Sequence, residues 1–287
     1  MEKVRFEEIV PTLKSLSIAF QKRSDSFLYG AHRGKKKGYD DEFTELREYA
    51  AGDDLRYLDW KVWAKTEKLT IRHGFQQARF SVLILLDLSA STNVYPEKKD
   101  TMRLAALGLS WLFFHASDKV NFVYSNGEDV KDFSLKKKHE FFLLDSELTQ
   151  TRFPKTKKTG CADIFTQYIE QNQRKTDVIF WFTDLYEPTN HFKKLVSTCR
   201  EKNIFLSVIH ATAGEEWKLP PLRFLSRATD SETENWFSAE MLPDYKTVWE
   251  EAVSARAKIV TSYGFRFIKF FTTDGPFRFL HQLTYLR

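Results

Sequence analysis

The chain has 287 residues, of which 42% are hydrophobic and 15% aromatic, so it can bury a sizeable core without disulfides. Its two cysteines, Cys161 and Cys199, cannot form a disulfide framework, and the N-terminus lacks a signal-like apolar stretch, which together predict a cytoplasmic protein. No apolar run approaches the roughly 20 residues of a membrane helix, and the net charge of +5 is too mild to indicate nucleic-acid binding.

Residues 1–75 are predicted to be an extension that packs on the rest of the chain. They begin with a helical pattern at 5–21, followed by a loop rich in Gly and Lys and by the stretch EFTELREYAAGDDLRYLDWKVWAKTEKLTIRHG, residues 42–74. The apolar residues of this stretch are scattered rather than periodic, so we expect short elements that cover a neighbouring surface.

The same stretch contains a group of carboxylates, Asp53, Asp54 and Asp59. One interpretation is a cluster for metal binding or acid–base chemistry. The other is a turn and a helix cap, with Trp60 and Trp63 packing on the sheet. We favour the second interpretation because no spacing among these acids defines one geometry.

Residues 76–287 are predicted to form an α/β domain with a doubly wound, mostly parallel sheet. Short segments rich in Val, Ile, Phe and Tyr predict strands at 81–86, 119–125, 129–134, 177–183, 204–211 and 265–271. Helical patterns lie between most of them, at 101–117, 161–174, 189–202 and 244–263. Alternation of strands and helices is typical of a parallel sheet covered on both faces.

One connection in this domain is predicted to be a hairpin. Asn126-Gly127 is a strong turn signal, so 129–134 should run antiparallel to 119–125. A further short hairpin is expected within 213–240. Numbered along the chain, the common strand order 3-2-1-4-5-6 places the first strand beside the fourth, where ligands bind beyond the carboxyl ends.

Polar residues follow both of these strands. Asp87, Ser89 and Ser91 come at alternate positions after the first strand, and Asp184 follows the fourth. Alternate side chains of an extended segment share a face, so these residues can converge. Oxygen ligands without His or Cys suit Mg²⁺. The alternative is structural: Asp87 caps a turn, and the serines satisfy loop amides.

These residues resemble known patterns. Asp87-x-Ser89-x-Ser91 with the later Asp184 resembles the metal-ion-dependent adhesion site of von Willebrand factor A domains. Upstream, the motifs Glu-Phe-x-Glu-x-Arg-x-Tyr, Gly-Asp-Asp-x-Arg and Asp-Trp-Lys resemble the signature of a bacterial family, number fifty-eight among the domains of unknown function. The resemblance covers most of residues 27–287.

The resemblance implies a von Willebrand factor A-like fold and a role in protein binding. Members of the family are commonly encoded beside MoxR-type AAA+ ATPases, which implies an adaptor that acts with such an ATPase, or with its client, in protein assembly or maturation. It also implies that Mg²⁺ is held by Asp87, Ser89, Ser91 and Asp184, with one coordination position left for a carboxylate of the partner. Ala162, in TGCAD, stands where such sites usually have a threonine ligand, so we expect weak Mg²⁺ binding that Ala162→Thr would tighten.

The alternative function is a metal-dependent phosphoryl-transfer enzyme that uses Asp87. Haloacid-dehalogenase-like enzymes would have Asp-x-Asp at this strand end, whereas this chain has Asp-x-Ser. No Walker-type phosphate loop, Gly-x-Ser-x-Gly elbow or His metal motif is present in the sequence, so we predict that the protein is not an enzyme. The basic runs RGKKKG, LKKKH and KTKK can hold phosphate or acidic protein, but a solvated surface explains them more simply.

Overall fold

The structure, a computed structural model, describes residues 4–21, 43–50, 58–74, 80–93, 95–151, 161–214 and 242–285. The first helix groups with the residues from 80 onward in one compact unit, and residues between 28 and 79 form a second unit. This division differs from the predicted extension 1–75. The reason is burial, because Phe6 in the first helix packs against Trp111 and Phe141 of the larger unit.

The helices and strands are numbered in chain order across both units. They are α1 (Phe6–Gln21), β1 (Phe43–Glu48), α2 (Trp60–Thr66), β2 (Thr70–Gly74), β3 (Ser81–Asp87), α3 (Pro96–His115), β4 (Lys119–Ser125), β5 (Val130–Leu135), α4 (Lys138–Gln150), α5 (Cys161–Gln171), β6 (Val178–Thr183), α6 (Thr189–Glu201), β7 (Phe205–Thr212), α7 (Leu242–Ser262), β8 (Arg266–Phe271) and α8 (Gly275–Tyr285). None of the helices in the described ranges combines the length and apolarity that a bilayer crossing requires.

The larger unit is built on a six-stranded sheet of order β5-β4-β3-β6-β7-β8. Only the β4–β5 pair is antiparallel among these described strands. The predicted order 3-2-1-4-5-6 and the α/β fold class are therefore confirmed. The central strands β3 and β6 are buried along their whole length, as expected for parallel strands covered on both faces.

The antiparallel pair is connected by the predicted hairpin. Gly127 has a φ of +96°, which glycine adopts without steric cost. The Asn126 side chain accepts hydrogen bonds from the backbone N–H groups of Glu128 at 3.0 Å and Asp129 at 2.9 Å. The hairpin expected within 213–240 lies, apart from residues 213 and 214, outside the described residues.

Alternate side chains of the central strands serve two separate layers of helices. Leu85 and Trp181 face a core formed with α5, α6 and α7. Phe180 and Phe182 face the other side, where they contact Phe113 of α3 and Phe279 of α8. The period of two along a strand therefore divides the apolar side chains between the two layers.

Two features of the larger unit differ from the sequence prediction. Helices α4 and α8 were not among the predicted helices. The basic run LKKKH leads into α4, and its lysines and histidine are exposed, as the solvated-surface interpretation expects. Helix α3 begins at Pro96 rather than at residue 101, which places Lys98 in its first turn.

The second unit contains the antiparallel pair β1–β2 and helix α2. Asp59 caps α2, because its side chain accepts hydrogen bonds from the backbone N–H groups of Lys61 at 2.9 Å and Val62 at 3.2 Å. The helix-cap interpretation is thus confirmed for this residue. Trp60 and Trp63, which were expected to be packed, are 61% and 43% exposed and contact each other edge to face. Asp53 and Asp54 lie outside the described residues.

Candidate functional site at the carboxyl edge of the sheet

Two buried aspartates lie at the carboxyl ends of the two central strands. Asp87 is the last residue of β3, and Asp184 directly follows β6, its parallel neighbour. Each is 1% exposed. The Thr183 hydroxyl donates a hydrogen bond to Asp87 Oδ2 at 3.1 Å and so connects the two strand ends. The structure therefore places both carboxylates at the predicted switch point.

The two predicted serines complete a continuous hydrogen-bond network. The backbone N–H of Ser89 donates to Asp87 Oδ1 at 2.8 Å, and the hydroxyl oxygens of Ser89 and Ser91 lie 3.0 Å apart. The Ser91 hydroxyl also helps to lower the pKa of the Asp184 carboxyl. All four sequence-predicted residues thus lie together, and their role as metal ligands stays a prediction.

A lysine that the sequence reasoning missed reaches into this network. Lys98, in the first turn of α3, places its Nζ 3.2 Å from Asp184 Oδ2, and both side chains are 1% exposed. The same Nζ lies 5.7 Å from the centre of the Tyr186 ring. The signal in the sequence was the position of Lys98 just after the Asp-x-Ser-x-Ser loop, but the predicted helix start at 101 concealed it.

The pKa of Asp184 shows that this is a charged pair. Burial by itself would raise the pKa of the carboxyl. The positive charge of Lys98 and hydrogen bonds from the Ser91 hydroxyl and the Tyr186 backbone N–H outweigh burial, so the pKa lies below its usual value. Asp184 is therefore an ionised carboxylate held by a buried ammonium group.

A third carboxylate, Glu187, was also missed by the sequence reasoning. Its Oε1 accepts a hydrogen bond at 3.2 Å from the backbone N–H of Ala162, the residue at the expected threonine position. Ligand atoms of Asp87, Cys161 and Glu187 all lie within 4.8 Å of one another. The Cys161 thiol contacts the Ser125 carbonyl, and a thiol is a poor ligand for Mg²⁺. In the sequence, Glu187 was marked only by its place three residues after Asp184.

A buried histidine lies near the same charges. Burial, together with the positive charge of Lys98, lowers the pKa of His210 to about 3. Its Nε2 lies 3.2 Å from the Thr212 hydroxyl. The imidazole is therefore neutral at neutral pH and adds no positive charge to the site.

The donor set fits a hard divalent cation, with one competitor. Three buried carboxylates, Asp87, Asp184 and Glu187, lie near two buried cations of the described chain, Lys98 and Arg256. Carboxylate and hydroxyl oxygens are the ligands that Mg²⁺ prefers. A metal ion at Asp184 would, however, meet the ammonium group of Lys98.

Comparison with known proteins places the chain among proteins without an assigned function. A family model described as "Protein of unknown function DUF58" matches residues 45–254. Two relatives, the uncharacterized proteins Rv1480 of Mycobacterium tuberculosis (strain ATCC 25618 / H37Rv) and Mb1516 of Mycobacterium bovis, are each 23% identical over 193 residues, or 66% of this chain. The chain spans 61% of the length of these curated relatives.

Solved structures that are similar to the chain include a conserved hypothetical protein and a domain named VWA. The conserved hypothetical protein BatB from Bacteroides thetaiotaomicron matches with a TM-score of 0.42 and 15% identity, covering 71% of this chain and 96% of that one. The SpRpn10 VWA domain matches with a TM-score of 0.39 and 11% identity, covering 71% and 94%. These similarities concern the fold alone.

Proposed function

The chain belongs to the DUF58 family of proteins of unknown function, and we propose that it is a protein-binding adaptor with a von Willebrand factor A-like domain. The proposed partner is a MoxR-type AAA+ ATPase or the client of that ATPase, and the proposed cofactor is Mg²⁺. The observation that carries the proposal is the buried cluster at the carboxyl edge of the sheet. The resemblance to proteins encoded beside such ATPases supports the class of partner.

In this proposal the cluster binds an acidic side chain of the partner through a metal ion. When bound, Mg²⁺ would supply a coordination position for a carboxylate oxygen. The residues that would hold the ion are Asp87, Ser89, Ser91 and Asp184. The Ser89 backbone N–H and the Thr183 hydroxyl fix Asp87 before any ligand arrives, which reduces the entropy lost on binding.

The enzyme alternative, phosphoryl transfer with Asp87, receives less support. Haloacid-dehalogenase-like enzymes would have a second carboxylate two residues after the nucleophile. Here that position is Ser89, whose hydroxyl pairs with the Ser91 hydroxyl at 3.0 Å. We therefore keep the proposal that the protein binds rather than catalyses.

A binding experiment with two matched variants tests the adaptor proposal. The tagged full-length chain is incubated with a MoxR-type ATPase purified from the same organism, in Mg²⁺ or in EDTA. We expect EDTA and Asp87→Asn each to reduce retention of the ATPase by about tenfold. Asp177→Asn is the control, because Asp177 is a buried carboxylate at the opposite end of the sheet that accepts from the Ser81 backbone N–H at 2.9 Å.

Two results would contradict this function. If the ATPase is retained equally by the wild type in Mg²⁺, by the wild type in EDTA and by Asp87→Asn, the cluster does not take part in partner binding. Hydrolysis of a phosphate ester that needs Mg²⁺ and disappears in Asp87→Asn would favour the phosphoryl-transfer enzyme instead.

A further inference from the structure

We propose that Lys98 is an internal cation that competes with the divalent ion for Asp184, so that the site exists in an ammonium-filled and a metal-filled state. The inference rests on the proposed Mg²⁺ site and names the residue that controls its occupancy. It starts from the place of Lys98 in the fold. The side chain comes from the first turn of α3, which follows directly on the loop that carries Ser89 and Ser91.

The burial of Lys98 is the first observation. Lysine is almost never fully buried unless it is paired, because its ammonium group is strongly hydrated. Here the whole side chain is 1% exposed and Nζ lies 3.2 Å from Asp184 Oδ2. The ammonium group is thus held at an oxygen of a carboxylate that the metal would need.

Charge balance is the second observation. Asp87, Asp184 and Glu187 are all buried, and Glu187 also lies near Arg256, which donates a hydrogen bond to its backbone carbonyl at 2.7 Å. The carboxylates of Asp87 and Glu187 lie within 4.8 Å of each other, and ionised carboxylates at that distance repel unless cations lie nearby. Lys98 supplies one positive charge, whereas a divalent ion would supply two. Either cation can therefore neutralise Asp184, and the two cannot contact the same oxygen without crowding.

The adjacent residue shows that burial in this turn does not require a metal-binding role. Lys99 is also buried, but its Nζ contacts the backbone carbonyl of Thr151 at 3.5 Å, at the end of α4. Its contact joins two helices. Lys98, in contrast, contacts the carboxylate of Asp184, which directly follows β6 at the candidate site. The two lysines are therefore a matched pair for an experiment.

The competition explains how a cluster of buried carboxylates is stable before a metal binds. In the ammonium-filled state Asp184 has its counter-charge from the chain itself. Entry of a divalent ion requires the Lys98 side chain to move away from Asp184, which lowers the apparent affinity. Metal occupancy would then respond to ion concentration instead of being permanent.

Titration calorimetry with Mg²⁺, and with Mn²⁺ as a second probe, tests this inference on the full chain. We expect Lys98→Met to bind the ion at least about tenfold more tightly than the wild type, because the competitor is gone. Its melting temperature should rise more with added Mg²⁺ than that of the wild type. Lys99→Met should leave the metal affinity unchanged.

A double variant addresses the case in which Lys98→Met does not fold without metal. Lys98→Met/Asp184→Asn removes both charges of the pair, so it should fold in EDTA and bind the ion no more tightly than the wild type. The competition would be supported if Mg²⁺ restored the folded circular-dichroism spectrum of Lys98→Met while the double variant bound Mg²⁺ no more tightly than the wild type.

Separate outcomes distinguish this inference from the proposed function. Equal affinities of the wild type and Lys98→Met, or equal tightening by Lys99→Met, would overturn the competition and leave the metal site in place. Absence of metal binding in every variant would overturn both the competition and the cofactor. The adaptor role is judged independently by retention of the ATPase.

Discussion

Two of the buried cations of helix α3, Arg103 and Lys98, differ in what their carboxylate partners contact. Arg103 pairs with Asp145 of α4 and donates to the Val4 carbonyl at 2.8 Å, while Asp145 Oδ2 accepts from the Phe6 backbone N–H at 3.1 Å. This pair holds the start of α1 against α3 and α4. Lys98, one to two turns earlier, pairs with Asp184 in a loop beside two hydroxyls. Burial of a charge pair is thus not by itself a sign of function; the further contacts of the carboxylate distinguish the two cases.

The side-chain chemistry follows the same division. The guanidinium group of Arg103 offers several donors in a fixed plane, which suits the connection of three chain segments. The ammonium group of Lys98 is a compact point charge, the form of cation that a metal ion can replace. The first pair therefore belongs to the architecture and the second to the candidate site.

The largest effect is expected at the architectural pair. Asp145→Asn should lower the free energy of unfolding by about 3–5 kcal/mol, because arginine cannot lose its proton and the buried Arg103 would keep only the partly exposed Asp100, 3.4 Å from its Nε, as a counter-charge. Urea denaturation measures the loss, and amide hydrogen exchange in α1 should accelerate. A loss below about 1 kcal/mol, as for a surface pair, would show that the Arg103–Asp145 pair does not stabilise the architecture.

A smaller loss is expected at the candidate site. Asp184→Asn should lower the free energy of unfolding by about 1–3 kcal/mol, because Lys98, unlike arginine, can neutralise itself when its partner is removed. The same variant should lose Mg²⁺ binding in calorimetry. If Asp184→Asn is more destabilising than Asp145→Asn, the Lys98 pair is the more important one for the architecture.

His210, which lies near Lys98, should make the free energy of unfolding depend on pH. The pKa of His210 is about 3 in the folded protein, below its usual value, so the unfolded state binds a proton that the folded state does not. Stability contributed by neutral His210 is present above about pH 6.5 and is lost as the pH falls toward 3. Between about pH 5.5 and 4 the wild type should lose about 1.4 kcal/mol per pH unit more than His210→Gln. The free energy of unfolding of His139→Gln, a change at an exposed histidine, should vary with pH as that of the wild type does. If the curve of His210→Gln is also parallel to that of the wild type, His210 is not the source of the pH dependence.

The smallest effect is expected where one partner of a charge pair lies in solvent. Lys175 is 82% exposed, and its Nζ lies 3.1 Å from Asp177 Oδ1. Lys175→Met should change the free energy of unfolding by less than about 1 kcal/mol, because water screens the charge that is removed. Urea denaturation of Lys175→Met and Asp145→Asn under the same conditions measures both losses. If Lys175→Met loses about 3 kcal/mol, the exposure of a charge pair does not determine how much it stabilises the protein.

Local patterns in the sequence were sufficient to predict the sheet and the first four site residues. The apolar run 81–86 ends in Asp87, Asn126-Gly127 marks the hairpin, and the strand order is the common one for doubly wound sheets. Once β3 and β6 are neighbours, Asp87 and Asp184 have to lie at the same edge. Each of these conclusions depends on residues close in sequence or on one general rule of sheet topology.

Only the tertiary structure revealed the contacts that give the site its charge balance. Lys98 contacts Asp184, Thr183 contacts Asp87, and Glu187 contacts Ala162. These contacts form because separate elements converge beyond the sheet edge. A sequence pattern reports which face of a helix is apolar, but not which distant atom a side chain will reach. Burial likewise decided that Phe6 brings α1 into the larger unit and that Asp184 is ionised, since both depend on water excluded by packing from several directions.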